Sequence, residues 1–173
     1  SGTPEDMESA VALANKADDR TRKEFEKWAV LTYSNNRARI NEAKGGDGGI
    51  DGIAYVADRD ENQNTVAREV LFSVKSNKTL SPSVIRDLFG TIEREKAAIG
   101  YLITLYPMDN LVKESKKYGT YTNTLIGQSY PKIEVISVED ILQNKRLSLP
   151  ISLEVVKSAE RKEIDNDAPT LFD

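Results

Sequence analysis

The sequence predicts an α/β fold, with a mixed β-sheet core flanked by helices, and three observations carry that expectation. Apolar residues recur at helical spacing in two separate stretches, around Phe25–Thr32 and around Val84–Ile92. Short apolar runs of strand length stand elsewhere, at 70–75, 100–105 and 132–137. The resulting order is helix, hairpin, helix, strand, helix, strand, helix, which sets a sheet between helical layers. With 173 residues, one domain is the natural expectation, and the chain is long enough to bury a core without cross-links.

Residues 1–19 are acidic and polar apart from Met7 and the alanines, and read as a frayed or weakly helical arm. At Thr21-Arg22-Lys23-Glu24 the spacing matches a capping box, which predicts a helix of about three turns with Phe25, Trp28, Ala29 and Thr32 on one face. Glu26 sits at the border of that face. Solvated helix surface and a carboxylate leaning toward a site are both open to it. Gly52 to Ala57 reads as a strand, Asp58 to Thr65 as a polar acidic connection, and Val66 to Lys75 as the returning strand of an antiparallel hairpin. Alternation puts Glu69, Leu71, Ser73 and Lys75 on one face and Val70, Phe72 and Val74 on the other. A bland account of Lys75 is an edge strand guarded by its charge. Ser81-Pro82 supplies an N-cap and first-turn proline for the helix of Val84, Ile85, Leu88, Phe89 and Ile92. Gly100 to Leu105 then reads as a central strand, a short helix as falling near Leu111–Lys117, and Lys132 to Ser137 as another strand leading into a helix at Val138–Gln143. After Pro150, Ile151–Ser158 reads as a further short element and the remainder as a loose acidic tail. The expected division is therefore an arm at 1–19, a domain at 20–153 and a tail at 154–173.

Cysteine and histidine are both absent. That excludes disulfides, zinc fingers, Ser-His-Asp triads and Cys-His nucleophiles, so any chemistry must run on Asp, Glu, Lys, Ser or Tyr. No apolar run is long enough to span a bilayer and no secretory signal opens the chain, so a cytoplasmic protein without a membrane partner is expected. The formal charge is -4, but the two ends hold more acids than bases and leave the middle mildly basic. A basic body is compatible with nucleic acid.

The stretch Gly45-Gly46-Asp47-Gly48-Gly49-Ile50-Asp51-Gly52-Ile53 is where chemistry is expected. Its glycines let the backbone take positive φ and come close to a ligand. Its aspartates offer hard oxygen donors of the kind that hold Mg²⁺ together with substrate phosphates. Lys75 lies one hairpin away, where an ammonium beside a carboxylate-held cation can orient water and offset charge building on a phosphate. Asp47 is read as bracing the glycine turn rather than as a ligand. Arg37, Arg39 and Lys44 flank the stretch, and Lys78 and Arg86 follow the hairpin; as bases around a phosphate site they are candidates for DNA backbone contact, with soluble surface the competing account.

Phe25-Glu26 on a helix, then Gly48-Gly49-Ile50-Asp51-Gly52, then a hydrophobic strand ending in Val74-Lys75, resembles the PD-(D/E)xK nuclease superfamily and within it the Mrr-like restriction endonuclease group. The run from Ile85-Arg86-Asp87-Leu88-Phe89-Gly90 to Gly100, with Ile103-Thr104-Leu105 and Tyr130-Pro131-Lys132-Ile133, is similar to the nuclease-like domain at the C-terminus of certain adenine-specific DNA methyltransferases. The resemblance covers 20 to 150. It implies a restriction-endonuclease-like fold with a four-stranded core sheet, Mg²⁺- or Mn²⁺-dependent hydrolysis of double-stranded DNA within a restriction-modification system, and a methyltransferase domain or subunit as partner. A homodimer would serve double-strand cleavage. By the same resemblance Asp51 and the Val74 carbonyl would bind the metal, Lys75 would act on the attacking water, and Glu26 would be the helix acid. Where that group carries Glu, Asp or Gln two residues before the lysine, this chain has Ser73, which counts among the catalytic candidates. The resemblance therefore also implies an alternative, a catalytically weakened DNA-binding domain accompanying a methyltransferase.

Overall fold

A computed structural model of the chain describes residues 3–16, 18–42 and 49–150. Its centre is a five-stranded sheet in the order β1-β2-β3-β4-β7, with β1 at Arg39–Ile40, β2 at Gly52–Arg59, β3 at Thr65–Lys75, β4 at Ile99–Thr104 and β7 at Ile133–Ser137. The first three strands run antiparallel and the last three parallel, so the sheet is mixed, as expected. Helices cover both faces. Helices α1 (Met7–Ala14), α2 (Asp19–Tyr33) and α5 (Val138–Leu142) close one side over Val70, Phe72, Val74, Tyr101 and Ile103. Helices α3 (Ser83–Glu95) and α4 (Asp109–Ser115) close the other over Leu71, Leu102, Ile133 and Val135. The β3 alternation read from the sequence is the one that divides these two cores.

Strand β3 is central. Bonded to β2 on one edge and β4 on the other, it carries Val70 to Val74 buried on both faces, which removes the account of Lys75 as guard of a sheet edge. Lys75 closes the strand beyond its last pairing with β2, between Gly52 and Phe72, so on that side the strand end faces the chain entering β2.

Several local expectations need correction. Helix α2 is capped by Asp18, whose carboxylate accepts from the Arg20 N–H at 2.9 Å and from the Thr21 hydroxyl at 3.1 Å. An acid further upstream takes the orphan donors, so the helix begins before Thr21-Glu24 and Glu24 instead stands 3.8 Å from the Lys27 ammonium. The arm contains α1, which buries Ala10 and Ala14 against α2; small side chains permit close packing that polarity alone did not signal. Pro82, rather than Ser81, occupies the N-cap of α3, because proline's fixed φ already suits the turn. Asp58 is a buried strand residue and not the start of a loop: the connection is Asp60–Asn64, braced by Asp60 accepting from the N–H groups of Asn62 and Asn64. The short strand β1 and the hairpin of β5 (Thr120–Asn123) with β6 (Gln128–Pro131) were not foreseen. The expected element at Ile151–Ser158 and the acidic tail lie outside the described residues. Among the described residues, no helix is long and apolar enough to cross a membrane.

Candidate functional site

The site forms where α2 meets the first residue of β2. Gly52 has no side chain because there is no room for one: a Cβ there would stand 2.5 Å from Val30 Cγ1. Helix and strand are thus pressed together at this point. Glu26 lies one helical turn before Val30, and Asp51 one residue before Gly52, so that contact places the two acids against each other. Glu26 is close enough for its carboxyl to help raise the pKa of Asp51.

Asp51 is half-buried and tied to the end of β3. Its Oδ2 accepts from the Val74 N–H at 2.7 Å, and its own N–H donates to the Phe72 carbonyl at 2.8 Å. Burial raises its pKa most, the Val74 N–H opposes that, the charge and hydrogen bond of Glu26 raise it further, and Lys75 lowers it; the result is about 7. Two carboxyls and one ammonium therefore meet here. Lys75 sits beside the glycine turn, its Nζ 3.6 Å from where a Cβ on Gly49 would stand. Gly49 has φ +76°, a conformation that glycine takes without strain. Along β3 the Lys75 carbonyl accepts from the Leu105 N–H of the chain leaving β4, and strand alternation sets Val74, whose N–H bonds Asp51, with its carbonyl on the opposite edge, the edge of β2.

The structure thus brings together Glu26, Asp51, Ser73, Val74 and Lys75 from α2, the start of β2 and the end of β3. Ser73 is buried, and its hydroxyl donates to the Gly49 carbonyl at 3.1 Å. Glu26 is half-buried on α2, with its carboxyl near enough to Asp51 to raise that residue's pKa. Of the basic candidates, Arg37 is exposed in the turn after α2, Lys78 is exposed in the loop leaving β3, and Arg86 is exposed on the first turn of α3. Arg39 donates to the Tyr55 hydroxyl at 2.9 Å and lies over that ring, 5.6 Å from its centre. Lys44 and Asp47 lie outside the described residues. One participant was missed: Asn41, whose side-chain amide donates to the Ile50 carbonyl and whose backbone N–H donates to the Asp51 carbonyl, both at 2.9 Å. An asparagine after a two-residue strand carries no periodic signal.

Chemically this is a set of oxygen donors with a buried acid short of positive charge. Two carboxyls and a carbonyl edge fit a hard cation that keeps waters and shares a substrate phosphate. Among the described residues, no group of three or more Asp, Glu, His or Cys side chains converges on a cation-sized site.

A second buried acid lies elsewhere. Asp58, at the other end of β2, accepts from the Tyr121 hydroxyl at 2.6 Å, from the Thr124 N–H at 2.9 Å and hydroxyl at 2.8 Å, and from Arg68 Nε at 3.2 Å. Burial pushes its pKa up, but the bonds from Tyr121, Thr124 and the Arg59 N–H outweigh that and hold it at about 2. It anchors the β5–β6 hairpin to the sheet.

Comparison with known proteins bears on this arrangement. A search of curated proteins finds no match. Among solved structures, a chain of the MspJI restriction endonuclease in complex with a 27-mer oligonucleotide is similar at 16% identity with a TM-score of 0.47, over 79% of this chain and 29% of that one, so the present chain spans under a third of its length. The family model described as restriction endonuclease, Mrr_cat, matches residues 17–126, which include Glu26, Asp51 and Lys75. That match takes in more than half of the sequence, and the chain belongs to this Mrr-type restriction endonuclease family.

Proposed function

We propose that this domain is a metal-dependent endonuclease that hydrolyses DNA phosphodiester bonds, working in the cytoplasm as part of a restriction-modification system. The observation that supports the reading is Asp51, bonded by the Val74 N–H at the end of β3, with the Glu26 carboxyl and the Lys75 ammonium near enough to shift its pKa. Family membership supports it, since restriction endonucleases of this kind generally use divalent metals. Asp51, Glu26 and the Val74 carbonyl would hold Mg²⁺ or Mn²⁺. When bound, the ion supplies Lewis-acid stabilisation of phosphate charge and a more acidic water. The Lys75 ammonium would donate hydrogen bonds that orient an attacking water and would offset the negative charge of the pentavalent transition state. Val74 N–H keeps one oxygen of Asp51 fixed, so that the other remains for the cation. Arg37, Arg39, Lys44, Lys78 and Arg86 would neutralise the backbone of double-stranded DNA on either side of the scissile phosphate. The sequence resemblance extends the proposal to a methyltransferase partner, and cleavage of both strands to a homodimer.

A second reading rests on Ser73. Its hydroxyl is engaged by Gly49, and no third carboxylate converges among the described residues, which favours a weakened site that grips DNA beside its methyltransferase. Nicking of supercoiled plasmid separates the two. The nuclease reading expects conversion to nicked or linear DNA in Mg²⁺ or Mn²⁺, abolished by Asp51→Ala and Lys75→Ala. Binding without any conversion in either metal leaves the second reading standing and removes the first.

A further inference from the structure

Three successive carbonyls lead into the site, and each is held by a donor outside the ladder of β2 with β3. The Gly49 carbonyl accepts from the Ser73 hydroxyl at 3.1 Å, the Ile50 carbonyl from the Asn41 side-chain amide at 2.9 Å, and the Asp51 carbonyl from the Asn41 N–H at 2.9 Å. The donors come from opposite sides: Asn41 follows β1 at the sheet edge, and Ser73 is a buried residue of the central strand. We propose that Asn41 and Ser73 are positioning residues whose side chains clamp the Ile50 and Gly49 carbonyls just ahead of Asp51 and thereby aim the Asp51 carboxyl at the Val74 N–H and its metal-binding edge. This rests on the nuclease reading for its effect on rate, and on geometry alone for its effect on Asp51.

The physical need is specific. Gly49 takes positive φ, and both it and Ile50 precede β2, so the backbone bonds that hold Asp51 to Phe72 and Asn41 do not reach back to them. A carboxylate at the end of such a segment would swing with it. A site of this kind needs its groups held to within about half an ångström, which falls to the surrounding hydrogen bonds. By drawing the Gly49 carbonyl toward β3, Ser73 also keeps the turn beside the Lys75 ammonium. Ser73 thus serves the acid from behind instead of adding a ligand in front. Asn41 does the same from the other flank, with two donors one residue apart in their targets.

The test uses the full chain carrying Asn41→Ala, Ser73→Ala and Ser73→Thr, the last retaining the hydroxyl. Three quantities are read: the amide proton shift of Val74, Mn²⁺ affinity, and single-turnover cleavage against DNA affinity. The clamp predicts that both alanine variants move the Val74 amide toward the shift of a weaker hydrogen bond. It predicts Mn²⁺ affinity and cleavage rate lowered about 10- to 100-fold, the range for partners that orient metal ligands, with DNA affinity unchanged. Ser73→Thr should return the Val74 shift. If an alanine variant does not fold, Asn41→Asp takes its place, since it keeps the side chain's size and removes the donor. A Val74 amide at the wild-type position in Asn41 and Ser73 variants overturns the clamp. Should wild type itself neither bind Mn²⁺ nor cut DNA, the nuclease reading fails while the Val74 amide still decides the clamp.

Discussion

Asp51 is the residue whose environment departs furthest from what a carboxylate prefers in water. Its native pKa of about 7 lies above that of an ordinary aspartate in water, so between those limits the folded protein holds a proton that the unfolded chain has released. In that window the unfolded state binds fewer protons, and stability must fall as pH rises from about 4 to about 7. Without divalent metal, thermal melts should show this loss. Adding Mg²⁺ should raise Tm more at pH 8 than at pH 5, because a bound cation answers the charge that burial disfavours. Asp51→Asn keeps an oxygen to accept from Val74 and gains an amide to donate to Glu26. Partial exposure screens the effect, so metal-free Asp51→Asn should be more stable than wild type at pH 8 by about 1–2 kcal/mol, or roughly 2–8 °C in Tm. An unchanged or lower Tm would contradict the assignment. The aspartate and Lys75 were legible in the sequence because glycines and a strand end bracket them. Asn41 was not, since its role depends on a carbonyl nine residues away that only the folded turn presents.

At the scale of elements, the contact of α2 with β2 at Gly52 sets the distance between the acids. Gly52→Ala forces a methyl to 2.5 Å from Val30 Cγ1, so helix or strand must move, at about 1–3 kcal/mol. In a double-mutant cycle, Val30→Ala should recover much of that loss; additive penalties in denaturant melts would show that the two residues do not collide. A second joint lies at Asp58. Tyr121→Phe removes the 2.6 Å bond to a buried carboxylate and should cost about 1.5–3 kcal/mol, with hydrogen exchange of the β5–β6 hairpin rising before that of β3. Because the pKa of Asp58 is depressed to about 2, its contribution is complete above pH 4 and is lost as pH falls through 2, the window opposite to that of Asp51. Periodicity exposed α3, β3, β4 and β7, whose buried residues are mainly apolar. It could not expose the hairpin, whose exposed Thr122, Gln128 and Ser129 look like loop, because Asp58 and Tyr121 lie 63 positions apart and a long-range hydrogen bond leaves no mark on local pattern.

For the whole molecule, the alternation along β3 sufficed to build two cores, and the mixed sheet followed from the order of helices and strands. Charge is the remaining global property. The net of -4 conceals a body more basic than its ends, so any grip on DNA must come from locally placed bases. Affinity for duplex should fall linearly in a log-log plot against salt, and Arg86→Ala or Lys78→Ala should each flatten that slope by about 1 if the residue meets a phosphate. An unaltered slope would assign that side chain to plain surface. Convergence of α2, the start of β2 and the end of β3 on one divalent ion remains the claim on which the rest depends. Crystals of the wild-type chain soaked in Mn²⁺ at pH 8 test it most directly through the anomalous difference map. The account predicts a peak within ligand distance of Asp51, Glu26 and the Val74 carbonyl, with the Lys75 ammonium beside it. A map without density there at saturating metal, or with the ion held by other residues, contradicts it.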